Sequence, residues 1–199
     1  LTVVEDAELL QADGRIQRSQ RSREKILRAY WELMLGGDME PSAAAIAEHA
    51  GVGLRSVFRH FDDLDTLLLE LMSLCYDEVT PQFLKPLKSI NWKDQILELV
   101  ERNVEIWERI KVPHTAGELG RFKSQILMDD YKRSRNLEIS GIRAILPKDI
   151  NNYDNVLFAL DSTLSFSTMR RLREDRKLSI PKVKNIMSLL VKSILDTID

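Results

Sequence analysis

Cysteine is almost absent from this sequence. Cys75 is the only one in 199 residues; an internal disulfide framework is therefore excluded, and a reducing cytoplasm suits the chain. Glycine and proline are also scarce, at 8 and 6 residues, which argues against a fibrous segment or a long linker. No window approaches the roughly 18 consecutive apolar residues that a membrane helix needs. No apolar run stands behind a basic patch near the start, so no signal peptide, no membrane partner and a cytoplasmic location are expected. The three histidines, His49, His60 and His114, are scattered, with no HxxxH, HExxH or CxxC spacing. Neither a metal site nor a cofactor is expected. A GxxxxGK[ST] phosphate loop is missing, and so is any Ser/His or Cys/His pairing that would suggest a nucleophile; an enzyme is not expected.

What is present is helical pattern and an uneven charge. Hydrophobic residues make up 44% and charged residues 30%, enough for one or two small domains with a real core. The net charge of −2 conceals three regions: residues 1–14 carry −4, residues 15–61 carry +3, and residues 62–199 carry −1. Basic charge is thus gathered in a short block, where a polyanion would need it.

The chain contains no alternating stretch long enough for a sheet. Residues 1–17 have no sustained helical period and read as a mobile arm. From Ser22 the pattern is helical, with Ile26, Leu27, Tyr30, Leu33 and Met34 on one face. "GGDMEP" (36–41) stops this helix. Ser42 is a good N-cap for a second helix, "SAAAIAEHA". Gly51 ends that helix, Gly53 permits a tight reversal, and "LRSVFRH" forms a short third helix. Asp62 is the expected cap of a leucine-rich fourth helix over about 62–79. Beyond Pro81 and Pro86, helices are expected from Trp92 to about Ile110, from about Glu118 to Leu146, from about Asn152 to Asp175, and from Pro181 to Ile198. Ser179 can cap the last, with Pro181 near its first turn. The fold class is all-α.

The stretch from Ala43 to Phe61 has the layout of a helix-turn-helix. Ala47 is small enough for two helices to cross, Gly51 sits in the turn, and Val57 points inward. Val57 and Phe61 share a buried side at i, i+4, while Arg55, Ser56 and Arg59 point away from it. Arginines there suit a major groove, where a guanidinium bonds guanine O6 and N7 together.

On these residues, "PSAAAIAEHAGVGLRSVFRHFDDLDTLLLEL" resembles the DNA-binding domain of the tetracycline-repressor (TetR) family. The similarity covers about residues 22–75. The resemblance implies a helix-turn-helix domain over 15–62 and a helical effector-binding and dimerisation domain over 63–199. It implies that Ser42 bonds a phosphate and that Leu54, Arg55, Ser56, Phe58, Arg59 and His60 form the DNA-facing set. Leu54 is open to two readings, contact with a thymine methyl or packing against the first helix.

Two positions depart from the family pattern. Phe58 stands where the family often has a phosphate-binding Tyr, and Leu64 where it often has Lys. Asp62 and Asp63 would be repelled by DNA if they faced it. The phosphate grip is therefore expected from Arg18, Arg21, Arg23, Lys25, Arg28 and the third-helix arginines.

The expected function is a homodimeric transcriptional regulator, a repressor released from its double-stranded DNA operator by a small-molecule effector of unknown identity. Trp107, His114, Phe122, Met128 and Phe158 are candidate effector-lining residues. The two C-terminal helices are the expected dimer contact, with Val183, Ile186, Met187, Leu190 and Ile194 on one apolar stripe of the last. Two other readings stay open: a helix-turn-helix used only for protein assembly, and an all-α enzyme.

Overall fold

The computed structural model describes residues 2–198, with side chains described from residue 16 onward. Helix α1 is Thr2–Leu35, α2 Ala43–Ala50, α3 Leu54–His60, α4 Leu64–Phe83 and α5 Trp92–Gly120. Helix α6 is Gln125–Ile145, α7 Tyr153–Thr163 and α8 Phe166–Arg170, which runs on into a π-helical turn, Arg171–Asp175; α9 is Ile180–Leu195. No strand occurs among the described residues, as the helical periodicity predicts.

Several boundaries differ from the sequence expectation. The arm expected over 1–17 is instead part of α1 from Thr2, while Leu1 lies outside the described residues. The stretch holds three Leu and two each of Glu, Ala and Gln, and the one glycine, Gly14, costs only about 1 kcal/mol in a helix. Asp63, not Asp62, caps α4: its carboxylate accepts the Thr66 N–H at 2.7 Å. Helix α4 continues through Pro81 into its last turn, where the Leu84 N–H still reaches the Thr80 carbonyl at 3.1 Å. Helix α5 likewise runs through Pro113, so His114 lies inside a helix rather than between two. A new helix starts only after Ser124, whose hydroxyl accepts the Leu127 N–H. The helix expected from Asn152 to Asp175 is broken at Leu164–Ser165. The Ser165 hydroxyl accepts the Thr168 N–H at 3.2 Å and donates to the Ser162 carbonyl at 2.8 Å, so it stops one helix and caps the next.

The chain forms two compact units. One comprises residues up to Ser73 together with Val112–Gly120; the other comprises Leu74–Lys111 and Arg121–Asp199. In the first, Ile26, Tyr30 and Met34 of α1, Ile46 and Ala47 of α2, Val57 of α3 and Leu67, Leu68 and Leu71 of α4 are buried. Burial, then the charges of Asp65, Glu40 and Asp38, push the Tyr30 hydroxyl up to about 12, so it stays neutral in this core. Gly117 lets the end of α5 approach α4, since a Cβ there would lie 2.9 Å from the Met72 side chain.

The second unit has the larger core. Its centre is Trp107 of α5, which meets Phe166 of α8 edge-on, with ring centroids 6.2 Å apart. Val183, Met187, Val191 and Leu195 supply the buried stripe of α9. Three cations hold α9 and the turn before it. Lys93 donates to the Leu195 and Ile198 carbonyls at 3.1 and 2.8 Å, satisfying acceptors at the helix end. Lys184 pairs with Glu101 and Glu105 at 2.6 and 2.8 Å. Burial opposes its charge, but the two carboxylates outweigh that and raise its affinity for the proton. Arg173 bonds Glu108 and the Leu178 carbonyl.

Held this way, α9 leaves Leu189 and Leu190 exposed and Ile186 and Ile194 half-buried. The expected stripe is thus split. Val183 and Met187 face the core, while Leu190 stands on an outer apolar face with Leu189. Ser179 occupies the cap position of α9 without a side-chain bond; its carbonyl alone receives the Val183 N–H.

Candidate nucleic-acid interface

The α2–turn–α3 corner is built by a few local interactions. Ser42 opens α2, its hydroxyl accepting the Ala45 N–H at 3.2 Å. Gly51 closes α2 in the left-handed region, φ 64°, and its N–H bonds the Glu48 carbonyl. That conformation disfavours any residue with a Cβ. Gly53 differs from expectation: its φ of −71° is ordinary extended backbone, so the reversal is made at Gly51. Val57 and Phe61 are buried beneath α3. A further tie joins α1 to α2, where the His49 imidazole Nε2 lies 2.8 Å from the Glu32 carboxylate.

With Val57 and Phe61 turned inward, the outer face of α3 carries Leu54, Arg55, Phe58 and Arg59. Leu54 is 47% exposed and Phe58 50% exposed. About half of Leu54 is thus covered by the chain and half is open, which fits both readings of it, packing against the first helix and contact with a thymine methyl. Arg55 is exposed and makes no hydrogen bond or ion pair among the described residues. Arg59 is exposed too, and donates to the Ser56 hydroxyl at 3.0 Å. Ser56 is half-buried, and Ser42 is exposed at the head of α2.

His60 sits at the edge of this face, with its Nε2 buried and without a hydrogen-bond partner. Burial first, and then the positive charges of Arg59 and Arg23, hold the imidazole below its ordinary 6.5. It is therefore neutral at physiological pH.

One residue expected in the phosphate grip is engaged elsewhere. The Arg23 Nε donates to Glu70 Oε1 at 2.9 Å, Nη2 pairs with Glu70 Oε2, and Nη1 donates to the His60 carbonyl at 2.8 Å. Its guanidinium also lies over the Phe61 ring, 4.4 Å from the centroid. A single side chain on α1 thus clamps the end of α3 to α4. Sequence reasoning missed this although the signal was available. Arg23 falls three, four and seven residues before Ile26, Leu27 and Tyr30, on the core side of α1. Arg21, Lys25 and Arg28 remain exposed on the outside of α1.

The five residues expected to line an effector site have unlike surroundings. Trp107 is 1% exposed within the core of the second unit, and His114 is buried in the first. Met128 is half-buried. Phe122 is 76% exposed, with Arg121 stacked between it and Tyr131, and Phe158 is 53% exposed on α7. Among the described residues no group of three or more His, Cys, Asp or Glu could hold a metal ion. No described helix is long and apolar enough to cross a membrane.

Compared by sequence, the chain matches no family model and no curated protein. Compared by structure, it is similar to three regulators from Rhodococcus sp. RHA1. A transcriptional regulator superposes with a TM-score of 0.71 at 14% identity, over 89% of this chain and 97% of the other. A TetR-like transcriptional regulator gives 0.61 at 13% identity, over 90% and 96%. A TetR transcriptional regulator gives 0.54 at 20% identity, over 89% and 97%. At such identities the likeness establishes architecture: this chain has the all-α fold of TetR-type transcriptional regulators.

Proposed function

We propose that the protein is a sequence-specific DNA-binding transcriptional regulator, acting as a homodimeric repressor. The observation that carries this reading is the outer face of α3. It presents Arg55 without a partner and Arg59 beside it, on a helix seated by Val57 and Phe61. A solvated helix gains little from an unpaired arginine, whereas a major groove offers it guanine edges and phosphates. Arg21, Lys25 and Arg28 on α1 add positive charge for the DNA backbone, and Ser42 offers a hydroxyl at the head of α2.

Two copies would place two α3 helices in successive major grooves of a near-palindromic operator. The outer apolar face of α9, with Leu189 and Leu190, is the dimer contact in this reading. A small-molecule effector would release the operator by favouring a dimer whose α3 helices no longer match the groove spacing, through unequal affinity for the two states. Trp107, His114, Phe122, Met128 and Phe158 are the positions to scan for loss of that response.

The test is selection of bound sequences from a random DNA pool with the purified chain. A palindromic consensus supports the reading, and its half-site spacing measures the dimer. Binding should weaken with salt at a log–log slope of about −0.9 per phosphate neutralised. No enrichment, or a flat salt response, would overturn it in favour of an assembly role.

A further inference from the structure

We infer that Leu54 and Phe58 are specificity residues that read thymine methyl groups, so that each operator half-site carries thymine next to the bases or phosphates held by Arg55 and Arg59. This inference rests on the DNA-binding reading above and adds what the helix recognises.

The outer face of α3 is unusual in composition. Leu54 and Phe58 are four residues apart, hence neighbours on one side of the helix. Both remain about half exposed, while the seat of α3 is already filled by Val57 and Phe61. Packing within the chain covers only about half of each. They alternate with Arg55 and Arg59, and α3 itself contains no acidic residue. The nearest acids follow at Asp62 and Asp63, and the Asp63 carboxylate is occupied capping the Thr66 N–H. The face is therefore apolar and cationic together, which suits an occupant that is anionic overall but offers small apolar groups.

Duplex DNA has that combination in the major groove. Phosphates line the groove, and the C5 methyl of thymine is its apolar feature among the four bases. A phenyl ring carries neither donor nor acceptor, so Phe58 cannot bond a phosphate or a polar base edge. What it can do is shed water against a methyl. Leu54, in the first turn of the same helix, has the same chemistry. The Arg59–Ser56 bond restrains the arginine on the same short helix that carries Phe58, so cationic and apolar groups are presented by one element.

The experiment uses the full chain and the sequence it selects from the random pool. Each thymine is replaced singly by deoxyuridine, which pairs identically but lacks the methyl. Affinities are then measured at fixed salt for wild type, Leu54→Ala and Phe58→Ala. Burying one methyl contributes about 0.8 kcal/mol, or about a fourfold change in Kd. Wild type should lose about fourfold at one or two thymines per half-site. Each variant should lose that discrimination at its own thymine while still binding the duplex at low salt. Both side chains are exposed, so the variants should keep the wild-type far-ultraviolet dichroism.

A selected site without thymine under α3, or one whose every thymine tolerates deoxyuridine, would overturn this inference and leave the DNA-binding reading standing. A deoxyuridine effect that persists in both variants would also overturn it, because another group would then read the methyl. A pool with no enrichment would overturn both.

Discussion

The Arg23–Glu70 pair tests whether a basic residue in the reading head holds the fold or holds DNA. The perturbation is the double-mutant cycle of Arg23→Ala, Glu70→Ala and the combination. Hydrogen bonds to charged groups contribute about 1.5–3 kcal/mol net. Here the side chains are 39% and 29% exposed, so solvent screening brings the expected coupling down to about 1–2 kcal/mol. Arg23→Ala also removes the bond to the His60 carbonyl and the stack on Phe61, the latter worth about 0.5–1 kcal/mol. Its total cost should reach about 2–3 kcal/mol, against about 1–2 for Glu70→Ala. Urea denaturation at unchanged m-value measures all three variants. The second readout is the salt dependence of DNA binding. Arg23→Ala should keep the wild-type slope, because its guanidinium is directed to Glu70 and His60 and not outward. A coupling below about 0.5 kcal/mol refutes the clamp. So does a slope reduced by about 0.9, the signature of one lost phosphate contact.

Gly51→Ala should destabilise by about 1–2 kcal/mol, since φ is 64° there and no atom lies within 4 Å to add a clash. Gly53→Ala, at φ −71° and in equally open space, should be neutral or stabilise by up to about 1 kcal/mol; thermal melts of the two variants give the order, and the reverse order refutes the turn geometry. For His60 the folded imidazole titrates below 6.5, so the folded state binds fewer protons than the unfolded chain. Its contribution to stability is present above pH 6.5 and is lost as pH falls from there through the folded value; an NMR titration should place the imidazole below 6.5, and Arg23→Ala should move it upward. Leu189→Glu with Leu190→Glu should turn a dimer into a folded monomer by sedimentation, and an unchanged mass would place the dimer contact elsewhere.

Much of the reading head was legible because its signals are local. Ser42 before an alanine-rich helix, Gly51 after it, and Val57 and Phe61 four residues apart each need only their neighbours to be interpreted. The all-α class and the helix-turn-helix followed from them. Boundaries that depend on competition were less legible. The fourth and fifth helices were expected to end near residue 79 and Ile110, yet they run on through Pro81 and Pro113. Asp62 and Asp63 are equivalent by residue type, and only the register of α4 selects Asp63. Contacts between distant segments were not legible at all. Arg173 with Glu108 and Lys93 with the end of α9 join residues 65 and over 100 positions apart, and no periodicity carries that pairing. The candidate effector residues show the same limit, since size and spacing alone could not separate the buried Trp107 from the exposed Phe122 and Phe158.

The cations of this protein divide by helical phase rather than by residue type. Arg23 precedes Ile26 and Leu27 by one turn, and Lys184 stands next to Val183 and one turn before Met187. Each lies at the margin of a buried stripe, where a long apolar stem can cover the core while the charged end finds a carboxylate or a carbonyl. Arg55 stands two residues from Val57, about 200° around the helix, and finds no partner. By the same rule Phe58 turns about 100° away from Val57, whereas Leu54, three residues before Val57 and seven before Phe61, stands at the margin of the buried side; both are left about half exposed. The exposed Arg55 is hydrated and costs the isolated chain nothing, whereas the two half-exposed hydrophobic side chains on the same seven-residue helix keep apolar surface in water. In the proposed reading a thymine-bearing major groove would meet both features, offering negative charge to the arginines and methyl groups to the apolar side chains.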